Sequence, residues 1–306
     1  MIVVVCPGQG SQTPGFLEPW LQNPAYAEQL RTMSEQSSTD LVAAGTLADA
    51  DTIRDTAIAQ PLIVAAGLLA LTALVANGRR AAIGGIAGHS VGEITAAAGA
   101  GVLSAADALT FVGERGRAMK SAAALTPTGM SAVLGGDEAE LLARLATLGL
   151  EPANFNGGGQ VVVAGDLEAL AALAADPPAK SRVVPLQVAG AFHTRHMRPA
   201  VAHLADVATS LDPQSPTLPL WTNHDGSMVT DGSRFVDLLV GQVSSPVRWD
   251  LCMQSFADAG VTGIIEVAPA GALVGLAKRA LRGIPSVAIK TPDDLPTAYA
   301  LIDHQA

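Results

Sequence analysis

Residues 88–92 contain the pattern Gly-X-Ser-X-Gly with Ser90 at its centre. In this pattern a strand turns sharply into a helix, and the serine hydroxyl at the turn can act as a nucleophile. Glycines are needed on both sides, because the backbone is strained and the strand and helix approach closely. The Val91 N–H begins the helix and points to where an oxyanion would form, which predicts acyl chemistry at Ser90. An ordinary glycine-rich turn is the alternative, since the bare pattern also arises by chance.

The neighbouring residues have the composition that such a turn requires. The apolar run 83–87 predicts a strand before it, and residues 93–98 predict a helix after it. The β-branched run 2–5 predicts a second buried parallel strand, which leads into a glycine turn at 7–12. We therefore predict an α/β protein whose mainly parallel sheet carries the chemistry at the carboxyl ends of its strands.

The composition restricts the class of protein. Apolar residues make up 49% of the chain and aromatic residues 4%, which is typical of α/β cores built from aliphatic side chains. The formal net charge of −10 argues against binding to nucleic acid. Cys6 and Cys252 have no metal-ligating neighbours at a useful spacing, so we expect no metal, no disulfide and a cytoplasmic location. We expect no signal peptide and no membrane association, because the apolar segment 62–76 is too short to cross a bilayer and predicts a buried helix.

The order of the predicted elements changes after Pro127. The order β-α-β-β-α-β follows, which is the ferredoxin-like pattern; its strands are 130–134, 153–155, 161–164 and 183–188, and its helices 137–148 and 167–175. We predict a large α/β-hydrolase-like subdomain formed by 1–126 and 190–306, with a small ferredoxin-like subdomain inserted at 127–189. Within the large subdomain, the segment 51–76 predicts a helix that Pro61 breaks.

Ser90 needs a base that removes its proton. Of the six histidines, His193 follows a predicted strand, where α/β sheets place their chemistry. A histidine satisfied by the backbone in a loop is the alternative reading of His193. The side chain of His89 diverges from that of Ser90 at such a turn, so we expect it to pack or to form a hydrogen bond. In an α/β hydrolase the serine is followed along the chain by an acidic residue and then by a histidine, for which Asp293 and His304 are the candidates here. This assignment is disfavoured because Asp293 lies in a polar surface stretch.

The helix predicted over 105–124 presents Arg115 among apolar residues. A guanidinium in such surroundings is costly to bury alone, and a planar carboxylate is its natural bidentate partner. That partner is either a substrate carboxylate or an internal acid such as Glu93 or Glu114, and the residues alone favour the internal ion pair. Arg117 faces another side of the helix and is expected on the surface.

Several motifs stand in an order and at a spacing typical of one family. They are 7–12, 88–93, 115–116, 154–156, 190–193 and 242–249. Over residues 2–282 the chain resembles the malonyl-CoA:acyl carrier protein transacylases of bacterial fatty-acid synthesis and the related acyltransferase domains of polyketide synthases. The resemblance implies transfer of a malonyl group from malonyl-CoA to the phosphopantetheine thiol of acyl carrier protein, with ping-pong kinetics and no cofactor.

The resemblance also implies a role for each matching residue in the chemical steps. Ser90 would carry the acyl ester, and His193 would be the general base and then the acid. The backbone carbonyl of Gln242 would orient the imidazole, so that no carboxylate is needed. The backbone N–H groups of Gln9 and Val91 would form the oxyanion hole.

Three further residues are implied to bind the substrate. Arg115 would hold the malonyl carboxylate, which makes the substrate clamp a better interpretation than the ion pair. Asn156 would contribute to the same site. Phe192 would crowd the α-carbon and disfavour a methyl branch, a preference worth about 1–3 kcal/mol, although it also suits simple core packing.

An acidic carrier protein would need a local basic patch on this acidic chain. Two clusters qualify: Arg195 with Arg198 beside the His193 loop, and Lys278, Arg279 and Arg282 near the C-terminus. Helix spacing would put Lys278 and Arg282 on one face. A solvated surface is the alternative for both clusters.

Two other functions remain open at this point. A serine hydrolase or thioesterase would use water as the acceptor, but it has no use for a cation such as Arg115 in its acyl pocket. A carrier-binding scaffold with an inert turn is disfavoured, because Gln9, Ser90, Arg115 and His193 occur together.

Overall fold

The computed structural model describes residues 1–304, in which two sheets are surrounded by helices. The strands are β1 Ile2–Cys6, β2 Ile83–Gly88, β3 Thr128–Gly135, β4 Glu151–Gly157, β5 Gln160–Asp166, β6 Ser181–Pro185, β7 Leu220–Trp221, β8 Val247–Arg248, β9 Gly263–Glu266 and β10 Ser286–Ala288. The helices are α1 Pro24–Ser37, α2 Leu41–Thr46, α3 Thr56–Leu74, α4 Gly92–Gly99, α5 Ala105–Ala123, α6 Glu138–Leu148, α7 Leu167–Ala175, α8 Arg198–Ala208, α9 Gly232–Gln242, α10 Trp249–Asp258, α11 Ala272–Ala280 and α12 Leu295–Asp303. Short 3₁₀ helices lie at Trp20–Gln22, Thr52–Arg54, Arg79–Ala82, Arg195–Met197 and Pro292–Asp294.

The first sheet is parallel throughout and has the strand order β10-β9-β1-β2-β7. Every residue of β1 is buried, as the unbroken β-branched run predicts for a strand covered on both faces. Because β1 and β2 are neighbours with Cys6 opposite Gly88, the loops that follow them begin side by side. The sheet therefore brings the 7–12 loop and the turn around Ser90 to one edge.

The second sheet has the order β6-β3-β5-β4-β8, with β3 to β6 antiparallel. Its first four strands, together with α6 and α7, have the ferredoxin-like arrangement, so the predicted fold class is confirmed. The strand β8 comes from outside the segment 127–189 and pairs parallel with β4. The strand predicted over 183–188 ends at Pro185, and Leu186 and Val188 contribute to a cavity instead.

Helix α3 differs from the sequence prediction in two respects. It runs through Pro61 without a break, because proline removes one hydrogen bond there while burial of nearly the whole helix stabilises the rest. With 19 residues and a mean hydropathy of 2.0 it is long and apolar enough to cross a membrane, so the expectation of a segment too short was wrong. The predicted burial is confirmed, since 83% of its most apolar stretch lies inside the protein.

Candidate active site

The turn between β2 and α4 has the tight geometry that its sequence predicts. A Cβ added to Gly88 would lie 2.0 Å from the carbonyl carbon of Gly92, and one added to Gly92 would lie 2.1 Å from the oxygen of Cys6. Ser90 itself has φ 52, in the left-handed region that few residues adopt. Since only glycine fits at both flanking positions, the backbone holds Ser90 at the apex.

The hydroxyl of Ser90 meets an imidazole from a distant loop. Its Oγ lies 2.7 Å from Nε2 of His193, and Nδ1 of His193 lies 2.9 Å from the backbone carbonyl oxygen of Gln242. The backbone N–H of His193 also donates to the Val243 oxygen at 3.0 Å, which anchors the loop. Because a carbonyl oxygen only accepts, Nδ1 carries the proton, and Nε2 is left to accept from the serine.

The environment of His193 keeps its ring neutral. Burial and, next, the positive charge of Arg115 together lower the pKa of His193 to about 3, while the bond to the Gln242 carbonyl opposes both effects. A neutral imidazole is the form that can take a proton from a hydroxyl. The arrangement can therefore act as a nucleophile and base at neutral pH.

Gln9 and Val91 line the same cavity as Ser90, and each has a backbone N–H that the sequence assigned to the oxyanion hole. Neither group donates to another atom within residues 1–304. Val91 precedes the first turn of α4, where backbone donors lack intrahelical acceptors. Both groups are thus available to an oxygen that carries negative charge.

Arg115 is buried on α5 with a relative exposure of 1%. Its guanidinium donates to the side-chain oxygens of Gln60 at 2.5 Å and Gln242 at 2.8 Å. Burial lowers the pKa of Arg115 to about 10, while the charge of Glu93 opposes this effect, so the group stays cationic at neutral pH.

The internal ion pair that the residues of α5 favoured is not formed. Among the described residues no carboxylate oxygen lies within 4.0 Å of the Arg115 guanidinium. Glu114 binds Arg117 and His203 at 2.8 Å each, near the surface. The two partners of Arg115 are neutral amides, so its positive charge has no direct counter-ion.

Glu93 is buried and contacts the Gln242 amide on the side away from Arg115. Its Oε1 accepts from the backbone N–H of Asn223 at 2.7 Å, and its Oε2 accepts from the Gln242 side-chain amide. Burial raises the pKa of Glu93 to about 8, although its hydrogen bonds to Asn223, Gln242 and Thr222 and the charge of Arg115 oppose the rise. Because both of its oxygens face hydrogen-bond donors, the ionised form is the one that these partners accommodate.

The sequence did not indicate Asn223, which supports the turn from β7. Its Oδ1 accepts from the Ser90 N–H at 2.8 Å, and its Nδ2 donates to the Gly88 oxygen at 2.7 Å. The Asn223 side chain thus provides hydrogen-bond partners for the Ser90 N–H and the Gly88 carbonyl, which hold the strained turn in place. A polar residue close behind the mainly apolar run 218–221 was the available signal for Asn223. For Gln60 the signal was a polar residue within an otherwise apolar helical segment.

A cavity of about 410 Å³ joins most of the predicted site residues. Its wall includes Gln9, Ser90, Val91, Arg115, Asn156, Phe192, His193 and Arg279. Apolar side chains from the second sheet and from α5 also line it, among them Met119, Met130 and Val162. The cavity thus has a cation and a nucleophile within largely apolar walls, which suits a substrate with one anionic end.

Asn156 and His89 are held by each other in that wall. The Oδ1 of Asn156 lies 2.8 Å from Nε2 of His89, and its Nδ2 donates to the Gln160 oxygen at 3.0 Å. The ring of His89 also contacts Trp249 edge-on, with centroids 5.7 Å apart. His89 therefore packs and forms a hydrogen bond, as predicted, and does not contact the Ser90 hydroxyl.

The basic residues predicted to dock a partner differ in their exposure and in their ion pairing. Arg195 forms an ion pair with Glu151, so its charge is partly compensated. Arg198, Lys278 and Arg282 are exposed. Helix α11 ends at Ala280, so the helical spacing that would align Lys278 with Arg282 does not apply.

Of these five basic residues, Arg279 is the one that lines the cavity. Its side chain covers the turn at Gly158, where an added Cβ would lie 3.5 Å from Nε, and it contributes to the cavity wall. Within residues 1–304 no group of three or more potential metal-ligating side chains occurs.

A family model described as acyl transferase domain matches residues 3–293. The malonyl CoA-acyl carrier protein transacylase of Mycobacterium tuberculosis (strain ATCC 25618 / H37Rv) is 52% identical over 299 residues, which cover 96% of this chain and 98% of that protein. The protein of the same name from Escherichia coli (strain K12) is 33% identical over 304 residues, covering 97% and 98%.

Solved structures show the same fold over nearly the whole chain. The crystal structure of MCAT from Mycobacterium tuberculosis has a TM-score of 0.94 at 52% identity and covers 97% of this chain and 99% of that one. A type II PKS acyl-carrier protein in complex with its malonyl-transacylase gives a TM-score of 0.90 at 29% identity, covering 98% and 99%.

Proposed function

The chain belongs to the acyl transferase domain family, among the malonyl CoA-acyl carrier protein transacylases, and we propose that it works through an ester on Ser90. In this proposal a malonyl group passes from malonyl-CoA to Ser90 and then to the phosphopantetheine thiol of an acyl carrier protein. The observation that carries it is the 2.7 Å contact between Ser90 Oγ and His193 Nε2, in the cavity that also contains Arg115.

The first half-reaction forms the ester. As Ser90 Oγ attacks the thioester carbon, His193 Nε2 takes the hydroxyl proton, and the carbonyl oxygen becomes an oxyanion between the Gln9 and Val91 N–H groups. The carbon–sulfur bond then breaks, and the departing coenzyme A thiolate takes the proton from His193. The low pKa of the His193 imidazolium favours that return of the proton.

The second half-reaction repeats these steps with the carrier thiol. Its proton passes to His193, its sulfur attacks the ester carbon, and Ser90 leaves with the proton back on its oxygen. Since both thiols use one site in turn, ping-pong kinetics follow. No metal or organic cofactor is needed in either step, because neither step changes an oxidation state.

Two residues would select the acyl group. The N–H groups of Arg115 that Gln60 and Gln242 do not occupy suit a malonyl carboxylate, which the guanidinium can bind through two parallel bonds. Phe192 lies in the cavity wall beside His193 and would crowd a methyl branch, giving a preference for malonyl over methylmalonyl. A hydrolase acting on neutral esters would gain nothing from the buried cation, so the transferase is the better proposal.

Intact-mass spectrometry after mixing the protein with malonyl-CoA tests the proposal. We expect one covalent malonyl group per chain, located on Ser90 by peptide mapping, and its removal when carrier protein is added. Malonyl transfer without this adduct would contradict the ester route. Rapid cleavage of a neutral ester together with no malonyl adduct would favour the hydrolase.

For the carrier protein we propose docking beside α11, because Arg279 on this helix reaches the cavity wall. The double replacement Lys278→Glu with Arg282→Glu spares Arg279 and reverses two exposed charges. We expect the KM for carrier protein to rise about fivefold, equivalent to roughly 1 kcal/mol, because acidic carriers are attracted by local positive charge. The KM for malonyl-CoA should stay unchanged in steady-state assays.

Arg198→Glu is the matched control for this docking prediction, since Arg198 belongs to the other candidate cluster and is also exposed. It should leave both KM values unchanged. A rise in the KM for carrier protein with Arg198→Glu alone would move the docking surface to the His193 loop. Equal effects of the double replacement on both substrates would remove the proposed surface.

We also place the reaction in the cytoplasm, in fatty-acid or polyketide synthesis. Cys6 and Cys252 are free and buried, which suits a reducing compartment. The similar solved structure with a type II PKS carrier protein supports the polyketide option, and the family of the chain supports the other.

A further inference from the structure

We propose that Glu93 is a positioning residue for malonyl selectivity, which it controls by setting the orientation of the Gln242 side-chain amide against Arg115. This inference rests on the proposed function of the cavity. It gives a role to a buried acid that the two half-reactions do not use.

Gln242 serves two parts of the site with different groups. Its backbone carbonyl accepts from His193 Nδ1 at 2.9 Å. Its side-chain oxygen accepts from Arg115 at 2.8 Å, and its side-chain nitrogen donates to Glu93 and, at 3.2 Å, to the Ser90 oxygen. Because Arg115 can only donate and an ionised Glu93 can only accept, the amide has one satisfactory orientation between them.

Only a carboxylate satisfies the position of Glu93. One of its oxygens accepts from the backbone N–H of Asn223, and the other accepts from the Gln242 side chain. A glutamine at position 93 would place its NH₂ group against either the Asn223 N–H or the Gln242 NH₂ group, and two donors cannot form a hydrogen bond. The backbone of Asn223 cannot turn away, since its side chain holds the Ser90 turn, whereas the Gln242 amide can rotate.

The amide also keeps the two buried charges apart. A direct ion pair between Glu93 and Arg115 would occupy the planar fork that a substrate carboxylate needs. With Gln242 between them, the anion stabilises the buried cation through a polarised hydrogen-bond chain and leaves the remaining N–H groups of Arg115 open to the cavity.

Glu93→Gln tests the orientation, because it keeps the size of the side chain, replaces one acceptor oxygen by an NH₂ donor and removes the negative charge. We expect Gln242 to rotate and to present its NH₂ group to Arg115, so that the guanidinium loses one of its two acceptors. The ratio of malonyl to acetyl adduct formed on Ser90 should fall about tenfold or more, as measured by intact mass at mildly alkaline pH. Labelling of Ser90 by an uncharged sulfonyl fluoride, which needs His193 but no cation, should continue at the wild-type rate.

Glu114→Gln is the matched control, since Glu114 neighbours Arg115 in sequence but binds Arg117 and His203. It should leave both the adduct ratio and the labelling rate unchanged. If Glu93→Gln does not fold, Gln242→Met removes the same side-chain amide and retains the backbone carbonyl. That variant should also lose malonyl preference while Ser90 is still labelled.

The outcomes separate this inference from the proposed function. A wild-type protein that forms no malonyl adduct contradicts the proposed function. A wild-type protein that forms the adduct, with an unchanged malonyl-to-acetyl ratio in Glu93→Gln, overturns the role of Glu93. An equal loss of malonyl adduct, acetyl adduct and sulfonyl fluoride labelling also overturns it, because Glu93 would then only maintain the Ser90 turn.

Discussion

Ser90→Ala is expected to abolish the covalent malonyl adduct and to slow transfer to carrier protein by about 10⁴- to 10⁶-fold. The hydroxyl is the only group of Ser90 that contacts His193 Nε2, and the variant has no oxygen to form the ester. The backbone should persist, because φ 52 is as accessible to alanine as to serine and the flanking glycines remain. Steady-state transfer and intact mass would be measured together, with thermal unfolding as a check of the fold.

Ser131→Ala is a suitable control for Ser90→Ala. It too removes a serine hydroxyl, here a fully buried one, but Ser131 alternates along β3 with Met130 and Ala132, the two residues of that stretch that form the cavity wall. We expect wild-type transfer from it. Transfer by Ser90→Ala within about tenfold of wild type would contradict an ester on this residue and favour direct transfer between thiols.

Arg115→Ala should reverse the choice of acyl group. Loss of a buried cation that pairs with a carboxylate costs about 2–5 kcal/mol, so the kcat/KM for malonyl-CoA should fall by roughly 30-fold to several thousand-fold. The acetyl group of acetyl-CoA has no free carboxylate, and the variant should form the acetyl adduct at least as readily as wild type. Competition between the two thioesters, read by intact mass, measures the change directly.

Arg117→Ala removes an equal charge two residues along α5. Arg117 binds Glu114 and the Ser37 oxygen at the surface, so its loss should leave acyl choice unchanged. A parallel fall of malonyl and acetyl adducts in Arg115→Ala would indicate a structural role for the guanidinium. A similar shift in both variants would point to the overall charge of the region.

Local sterics explain why the Ser90 turn could be predicted. Its glycines meet atoms a few residues away along the chain or on the adjacent strand, and the resulting limits apply wherever the pattern Gly-X-Ser-X-Gly joins a strand to a helix. The alternation of elements after Pro127 was also informative, because each pattern of apolar residues depends on local periodicity. Pro61 misled the prediction, since burial of α3 outweighs the local cost of a missing hydrogen bond.

The partners of Arg115 could not be derived in the same way. Gln60 and Gln242 lie 55 and 127 positions from it along the chain, and neither position has a local pattern that pairs it with a guanidinium. The nearby acids Glu93 and Glu114 were therefore the natural candidates, and packing directed each of them elsewhere.

The sequence by itself determined the α/β class, the strained serine turn and the presence of one cation on an apolar helix face, because backbone sterics and periodic burial act over short distances. Tertiary structure alone decided that an imidazole 103 positions away lies 2.7 Å from that serine. It also decided that a glutamine amide separates the buried anion from the buried cation. Such contacts depend on how sheets and helices pack, and the free energy of packing is spread over many residues that no single motif contains.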